Sequence, residues 1–426
     1  MDSNVIERVS ARRVWDSRGR PTIESEVQLA CGVSGRAIAP AGASTGSGEA
    51  IDRRDGGRAF GGYDVTEAIA SVNIEIADAL HGFDATKQGN VDATLIALDG
   101  TPNRARLGGN AMIATSMAVA HAAARCVGLP LWRYLASAGD VHLPLPEIQI
   151  FGGGLHAGRR VDVQDYMVIA VGARTYGEAL DWSAEVYRAA GLIMSEAGLL
   201  QGVADEGGFW PGFTTNEQGL DLIMRAIERA GLRPGDQMAI SLDIAASEFG
   251  TAERYKLALD GRELDSEGMR ELILGWMRRY PIVAVEDPLA EDDASGWARF
   301  TEAAVGTAVV GDDYLVTNAD RVRRAARARI CNAVLVKPNQ AGTLSEAKAA
   351  LDAAQAANWN TVVSARSGET EDVTVVHLAV AWGADMLKVG SFARSERMAK
   401  WNEGLRIAET LGEGVLTSRR AFPWGR

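Results

Sequence analysis

The sequence predicts an α/β fold with two parts, a smaller N-terminal domain and a larger C-terminal (β/α)8 barrel of the TIM type. The chain has 426 residues, which suits two domains better than one small core. Beyond residue 143, short β-branched runs recur, after a first gap, about every 25 residues, each followed by a polar loop and a helical pattern. Such apolar runs are typical of a parallel sheet covered on both faces, and their number favours a closed barrel over the alternative, an open sheet. The runs are 238–243, 282–287, 307–313, 333–339, 361–365 and 386–390.

The first third of the chain mixes strand and helix patterns. Residues 20–32 alternate like a strand with one exposed face, and a loop rich in Gly, Ser and Ala follows them. Residues 110–126 are rich in alanine and suit a tightly packed helix. Because the two prolines of LPLPE (143–147) are typical of a junction, we predict one domain over 1–138 and the barrel over 139–426.

Composition excludes several classes of protein. Hydrophobic residues make up 47% of the chain and charged residues 23%, which is a globular and not a disordered composition. The net charge, 44 − 56 = −12, argues against nucleic acid as a partner and is compatible with divalent cations. No apolar stretch reaches membrane-spanning length and no secretory signal opens the chain, so we expect a cytoplasmic protein that does not bind membranes. Cys31, Cys126 and Cys331 lack metal-ligand spacing and fit buried thiols in a reducing cytoplasm.

Three successive strand runs end in acids, namely Asp243, Glu286 and Asp312. The active site of such a barrel lies at the carboxyl ends of its strands, so these side chains are expected to converge. Converging carboxylates repel one another unless a cation lies among them, and ligands that are all oxygen favour Mg²⁺. The alternative is that each acid only caps the helix that follows it.

Two later runs carry lysines, Lys337 and Lys388, inside apolar strands. If the strand register holds, both side chains point into the mouth of the barrel. Each lysine is either a counter-ion for the carboxylates or, where a neighbouring ammonium and a metal lower its pKa, a group that accepts a proton. Glu206 lies in VADEGGFWPG, a glycine-flanked loop that can approach a ligand closely or serve as a plain turn.

Together these motifs resemble the enolase family over essentially the whole chain. The resemblance implies an α+β N-terminal capping domain on a modified (β/α)8 barrel, usually in a homodimer. It also implies a lyase of glycolysis, phosphopyruvate hydratase, which dehydrates 2-phosphoglycerate to phosphoenolpyruvate. The matching segments are VWDSRGRPTIE, APAGASTGSGEA, LDGTPNRARLGGNA, VADEGG, SLDIAASEF, YPIVAVEDPLAEDD, GDDYLVTN, LVKPNQAGTLSEA, SARSGETED and KVGSFARSER.

The resemblance also implies a role for each matched residue. Two Mg²⁺ ions are expected, one held by the barrel carboxylates and one brought with the substrate, a small phosphorylated carboxylic acid. The pairing of a lysine base with Mg²⁺ is a general feature of this superfamily. The implied roles are Asp243, Glu286 and Asp312 for the first Mg²⁺, Ser44 for the second ion and for closure over the substrate, Lys337 as base, Glu206 as acid, Lys388 on the substrate carboxylate, and Arg366 and Ser367 on the phosphate.

Three positions depart from the family pattern, all near the end of the site that would hold the phosphate and the leaving hydroxyl. Ala365 stands where the family has histidine. Gln164-Asp165 replaces Gln-Glu, so the acid that supports Glu206 is one methylene shorter, and Gly152 replaces an asparagine. His156 is retained, and with Asp165 it is expected to take part in catalysis, while Gln164 contacts the substrate.

The departures leave three hypotheses for function. The first is ordinary enolase chemistry with some drift in sequence. The second is a paralogue that acts on another phosphorylated or phosphonylated acid, as carboxyphosphonoenolpyruvate synthases do. The third is a catalytically silent scaffold, against which the intact set of acids and lysines argues.

Overall fold

A computed structural model describes residues 4–43, 46–136, 141–412, 416–417 and 421–425. The predicted boundary between residues 138 and 139, and the predicted site residue Ser44, lie outside these ranges. None of the helices within them combines the length and the apolar character needed to cross a membrane.

The N-terminal part is a three-stranded antiparallel sheet packed against helices, as the mixed pattern predicts. The predicted strand and helix are both confirmed, as Pro21–Leu29 and Gly109–Cys126. A π-helical segment, Val72–Ile76, lies between the first two helices. The elements are β1 Ile6–Trp15, β2 Pro21–Leu29, β3 Ser34–Ile38, α1 Thr66–Ser71, α2 Ala77–Leu80, α3 Gln88–Asp99, α4 Gly109–Cys126 and α5 Leu131–Leu135.

The C-terminal part contains a closed barrel of eight strands, so the closed form is confirmed over the open sheet. Each predicted β-branched run overlaps one barrel strand. The barrel strands are β4 Leu145–Gly152, β5 Asp165–Ile169, β6 Ala239–Asp243, β7 Ile282–Glu286, β8 Ala308–Gly311, β9 Ala333–Val336, β10 Asn360–Ser364 and β11 Met386–Lys388. The helices are α6 Tyr176–Glu196, α7 Glu217–Arg229, α8 Ser266–Arg279, α9 Ala294–Ala303, α10 Ala319–Ala328, α11 Pro338–Ala341, α12 Leu344–Ala356, α13 Thr374–Ala381 and α14 Ser395–Leu411.

The expectation of a wholly parallel sheet is wrong for β5, which runs antiparallel to both β4 and β6. Residues 153–164 join β4 to β5 and contain only a short 3-10 segment, Gly154–Ala157, in place of a crossover helix. This connection lacks the α-helix that usually joins a parallel pair, and it reverses the chain. The proline-rich segment expected to be a junction also belongs in part to the barrel, because β4 begins at Leu145.

Strand register brings the charged strand ends to one level of the barrel. Asp243 pairs with Glu286 across β6 and β7, and Lys388 pairs with Ser364 across β10 and β11. Alternate residues of a strand face the same side, so these side chains share the barrel mouth. Below these side chains the barrel interior is filled by a cluster of apolar residues, several of them alanines. Phe422 from the C-terminal segment packs into this cluster.

The expectation of three buried thiols is only partly correct. Cys331 is buried, whereas Cys31 is exposed and Cys126 is half-buried. Cys31 lies in the turn between β2 and β3, and Cys126 is the last residue of α4.

Candidate active site

One cavity at the carboxyl end of the barrel collects nine of the predicted site residues. It is also lined by Ala365 and by Ala43, the last described residue before Ser44. Glu286 and Asp312 reach the same group through the two lysines. The nine residues are His156, Gln164, Asp165, Glu206, Asp243, Lys337, Arg366, Ser367 and Lys388.

Lys388 lies at the centre of the carboxylates. Its Nζ atom is 2.8 Å from Oδ2 of Asp243, 2.7 Å from Oε2 of Glu286 and 3.4 Å from Oδ2 of Asp165. Burial lowers the pKa of Lys388, but the charges of Asp243 and Glu286 outweigh burial and raise the pKa well above its usual value. Lys388 is therefore a fixed ammonium group, suited to holding an anion.

Lys337 contacts Asp312 directly, its Nζ donating to Oδ2. The sequence pattern leaves open a lowered pKa for one lysine, and the structure gives the opposite direction for both. Burial does lower the pKa of Lys337, but the adjacent charge of Asp312 outweighs it and the net shift is upward. The lysine is protonated in this state and accepts a proton only when the charge of Asp312 is offset.

The three predicted metal ligands are buried at neighbouring strand ends. Gln164 donates to Oδ2 of Asp243 at 3.1 Å, and Gln340 donates to Oδ1 of Asp312 at 2.9 Å. Burial, followed by the charge of Asp243, raises the pKa of Glu286 well above its usual value. The Oε1 atom of Glu286 has no hydrogen-bond partner among the described residues. The trio is thus acidic and oxygen-rich, and the lysine ammonium groups partly neutralise it.

A second acidic group, Asp287, Asp312 and Asp313, is drawn together more tightly, with ligand atoms within 4.8 Å of one another. Asp287 has a left-handed backbone, with φ of 41°, and its two oxygens accept the backbone N–H groups of Asp312 at 2.9 Å and Asp313 at 2.8 Å. Because its oxygens are already occupied, Asp287 fixes the turn that presents Asp312. The sequence pattern shows the acid but not this role.

His156, Asp165 and Glu206 form a separate group, also within 4.8 Å. Nε2 of His156 is 3.9 Å from Oε1 of Glu206, and Gln149 donates to Oδ1 of Asp165. Burial raises the pKa of Asp165. Burial acts in the same direction on Glu206, but the charges of His156 and Arg397 outweigh it and lower the pKa of Glu206. Of the two carboxyl groups, Asp165 is therefore the one that holds a proton more readily.

Arg366 and Ser367, the predicted anion clamp, are both buried. The Arg366 guanidinium donates to Oε2 of Glu49 and to Oδ1 of Asn339, each at 3.0 Å. Arg18, from the loop after β1, donates to the Ser367 hydroxyl at 3.1 Å and to the carbonyls of Ala41 at 2.9 Å and Gly42 at 3.2 Å. The sequence pattern assigns Arg18 no role, although the residue lies in VWDSRGRPTIE, one of the segments that resemble the family.

Two buried cations on α14 support the anion clamp, and neither was predicted. Arg397 is fully buried and donates to the carbonyls of Arg366 at 2.7 Å and Ser367 at 2.5 Å. Lys400, also fully buried, donates to the carbonyl of Thr370 at 3.0 Å and pairs with Glu369. Their spacing of three residues places them on one helix face, a pattern that more often marks a solvated surface.

Glu147 is a further buried acid that the sequence pattern did not single out. It lies on β4, paired in register with Lys388 of β11, and accepts a hydrogen bond from the Ser241 hydroxyl. Burial raises its pKa. Glu147 thus adds a buried acidic side chain at the level of Lys388.

Comparison with known proteins gives concordant matches over nearly the whole chain. The family model described as "Enolase, N-terminal domain" matches residues 6–135, and that described as "Enolase, C-terminal TIM barrel domain" matches residues 140–422. A protein named Enolase from Acidothermus cellulolyticus (strain ATCC 43068 / DSM 8971 / 11B) is 46% identical over 421 residues, an alignment that covers 98% of each chain.

Proposed function

Because this chain belongs to the enolase family and is a lyase of the phosphopyruvate hydratase type, we propose that it dehydrates 2-phosphoglycerate to phosphoenolpyruvate with Mg²⁺. One observation carries the proposal. A single cavity brings together a lysine that can serve as base, a second lysine fixed in its charged form, and an acid near a histidine, all beside the barrel carboxylates. This is the set of groups that α-proton removal and loss of hydroxide require.

We assign proton removal to Lys337 and substrate orientation to Lys388. An α-proton next to a carboxylate is very weakly acidic, so its removal requires a neutral amine and strong stabilisation of the enolate. Lys388 stays charged and holds the substrate carboxylate, where negative charge accumulates. Lys337 becomes neutral when the charge of Asp312 beside it is offset, and its Nζ then takes the proton.

The Mg²⁺ proposal rests on the donor set. The cavity and the ion pairs beside it bring together the carboxyl groups of Asp165, Glu206, Asp243, Glu286 and Asp312, an oxygen-rich set that fits a hard divalent ion. Asp243, Glu286 and Asp312 would hold the first ion, and Ser44 would contribute to the second. When bound, Mg²⁺ supplies positive charge that stabilises the doubly charged enolate and offsets the charge of Asp312.

Glu206 is assigned as the acid that protonates the leaving hydroxyl group. The pKa of Glu206 is lowered and that of Asp165 is raised, so a proton between the two groups would favour Asp165 before substrate binds. A substrate that bears a phosphate and a carboxylate adds negative charge, which raises the pKa of Glu206 and draws the proton towards it. His156 and Gln164 line this end of the cavity, and Arg366 with Ser367 would hold the phosphate.

The test is absorbance of phosphoenolpyruvate formed from 2-phosphoglycerate with Mg²⁺, for the wild type and for Ala365→His. Turnover at ordinary enolase rates in the wild type supports the proposal. A wild type that exchanges the α-proton of 2-phosphoglycerate with solvent but forms no phosphoenolpyruvate overturns it, because the base then works and hydroxide loss does not. Mg²⁺ binding measured by calorimetry should be weakened at least about tenfold by Glu286→Gln, with the exposed Asp292→Asn as control.

A second candidate is the same enolate chemistry on another phosphorylated or phosphonylated acid, as in carboxyphosphonoenolpyruvate synthases. The observation in its favour is Ala365, whose methyl group lines the cavity that His156 also lines. Nδ1 of His156 has no hydrogen-bond partner among the described residues, so it can serve a substrate group. Proton exchange without hydroxide loss favours this candidate, and restored turnover in Ala365→His strengthens it. A protein that neither exchanges the α-proton nor binds Mg²⁺ would instead be a silent scaffold.

We also propose a homodimer and a domain boundary near residue 138. Trp15 and Phe60 are exposed and meet edge to face at 5.1 Å, with Arg13 over both rings. Aromatic residues and arginine are enriched in interfaces, so this surface supports association with a second copy. Light scattering should give twice the chain mass for the wild type, and Trp15→Ser should reduce the measured mass.

The break between the two family matches, which end at residue 135 and begin at residue 140, supports the domain boundary.

A further inference from the structure

Cys31 and Cys126 are brought together by the fold although 95 positions separate them in the chain. Their Sγ atoms are 3.7 Å apart. Cys31 is exposed in the turn between β2 and β3, and Cys126 is half-buried at the end of α4. The third cysteine, Cys331, is buried in the barrel domain. The pair thus lies where a small reagent from solvent can reach it.

Close packing between α4 and the β2–β3 hairpin explains this proximity. A Cβ atom on Gly35 would lie only 2.1 Å from the backbone nitrogen of Ala122, so only glycine permits the helix to lie this close to β3. Arg125 donates to the carbonyl of Ser34 at 2.8 Å and fixes the end of the helix against the hairpin. The two sulfur atoms are therefore held together by the domain itself.

The separation of the sulfur atoms is that of van der Waals contact, and a disulfide needs about 2.05 Å. A glycine lies close to each cysteine in the chain, where it leaves the backbone adaptable. Gly32 follows Cys31 with φ of 83°, Gly128 lies two residues after Cys126 with φ of 72°, and added Cβ atoms at either glycine would meet nothing within 4 Å. The backbone beside each cysteine therefore borders open space at these two glycines.

We propose that Cys31 and Cys126 form a reversible disulfide, with a low-molecular-weight disulfide as the oxidant. One cysteine thiolate attacks the oxidant, forms a mixed disulfide and releases one small thiolate. The second cysteine attacks the mixed disulfide at the protein sulfur, which forms the Cys31–Cys126 bond and releases the second small thiolate. The two thiol protons pass to the two released thiolates, and the two electrons reduce the oxidant. A disulfide of this kind closes a long loop and restricts the unfolded chain, so it raises the melting temperature.

The experiment uses the full-length protein incubated with oxidised glutathione, with dithiothreitol as the reduced reference. Remaining thiols are alkylated before and after denaturation, and peptides are mapped by mass spectrometry. We expect one cross-linked pair of peptides containing Cys31 and Cys126, lighter by two hydrogens, and alkylation of Cys331 only after denaturation. A glutathione adduct that persists on Cys31 without a cross-link overturns the proposal, as does unreacted protein.

Matched variants separate the cross-link from general oxidation. Cys31→Ser and Cys126→Ser each leave one thiol of the pair, so oxidised glutathione should give a single adduct on it. Oxidation should raise the melting temperature of the wild type and of Cys331→Ser by several degrees, and should not raise it in either variant of the pair. An equal rise in the melting temperature of Cys31→Ser would assign the stabilisation to another site. It would overturn the stabilising role of the Cys31–Cys126 disulfide.

Discussion

Lys337 donates from Nζ to Oδ2 of Asp312, so the proposed base and a proposed metal ligand are directly joined. Both side chains are buried, and the contact raises the pKa of the lysine although burial alone lowers it. A base held in its charged form is inactive until the charge beside it is offset. With the proposed roles, this contact would link proton removal to occupation of the carboxylates by a cation.

Lys337→Ala should abolish exchange of the α-proton of 2-phosphoglycerate with solvent, by about 10³-fold or more. The expectation holds for either enzymatic hypothesis, because both need the same enolate. Proton NMR in deuterium oxide with Mg²⁺ measures the exchange directly. Lys348→Ala, at a partly exposed lysine paired with Asp352, is the control and should exchange at the wild-type rate. Exchange that survives Lys337→Ala would assign the base to another residue.

Arg18→Ala should lower kcat/KM by about tenfold, because the guanidinium holds the Ser367 hydroxyl and the carbonyls of Ala41 and Gly42. Steady-state kinetics, or the exchange assay where turnover is absent, measures the change. Arg20→Ala is the matched control in the same loop, since Arg20 lies over the ring of Tyr63 at 4.3 Å. Equal losses in both variants would show that the loop, and not the Arg18 contacts, matters.

The barrel and its strand-end residues could be predicted because they follow from local patterns. A charged residue lies at or near the end of each β-branched run, and a parallel sheet places successive strand ends at the same edge. This reasoning brings Asp243, Glu286 and Lys388 together, and the structure confirms that they share one site. Recognition of the enolase motifs then supplied roles that spacing alone does not give.

Features set by distant contacts could not be predicted in the same way. The reversal of β5 depends on the absence of a helix between residues 152 and 165, a stretch whose sequence has no clear strand or helix period. Arg18 and Arg397 reach the anion clamp, Arg366 and Ser367, from opposite ends of the chain, and their burial depends on tertiary packing. The direction of the Lys337 pKa shift depends on one side-chain contact.

The free energy of unfolding should fall as the pH drops below about 6.5, in part because of His121. Its Nε2 lies 2.8 Å from Oγ1 of Thr374, and burial lowers the pKa of His121 from 6.5 to about 4. The unfolded chain therefore takes up a proton near pH 6.5 and the folded chain only near pH 4, so protonation favours unfolding throughout that window. The contribution is fully present above pH 6.5 and decreases by up to about 3 kcal/mol by pH 4.

Urea unfolding of the wild type and of His121→Gln between about pH 7.5 and about pH 4 tests this expectation. This range runs from roughly one unit above the ordinary pKa of histidine down to the lowered pKa of His121. The difference between the two proteins should shrink as the pH falls, because the variant has no group there to titrate. His81→Gln, at an exposed histidine, should follow the wild type. Parallel curves for wild type and His121→Gln would contradict the role of His121.

Glu147 and Ser241 should behave as a coupled pair in stability measurements. Glu147 is buried within the barrel, and the Ser241 hydroxyl donates to it across the strands. Ser241→Ala leaves the carboxyl group without this donor and should lower the free energy of unfolding by about 1–3 kcal/mol.

Glu147→Met alone leaves a buried hydroxyl unpaired and should lower the free energy of unfolding by less. The double variant Glu147→Met/Ser241→Ala replaces both polar groups by apolar ones and should recover most of the loss, since an apolar replacement of a buried polar pair is often neutral or stabilising. Additive losses in the double variant would instead indicate that the two side chains act independently.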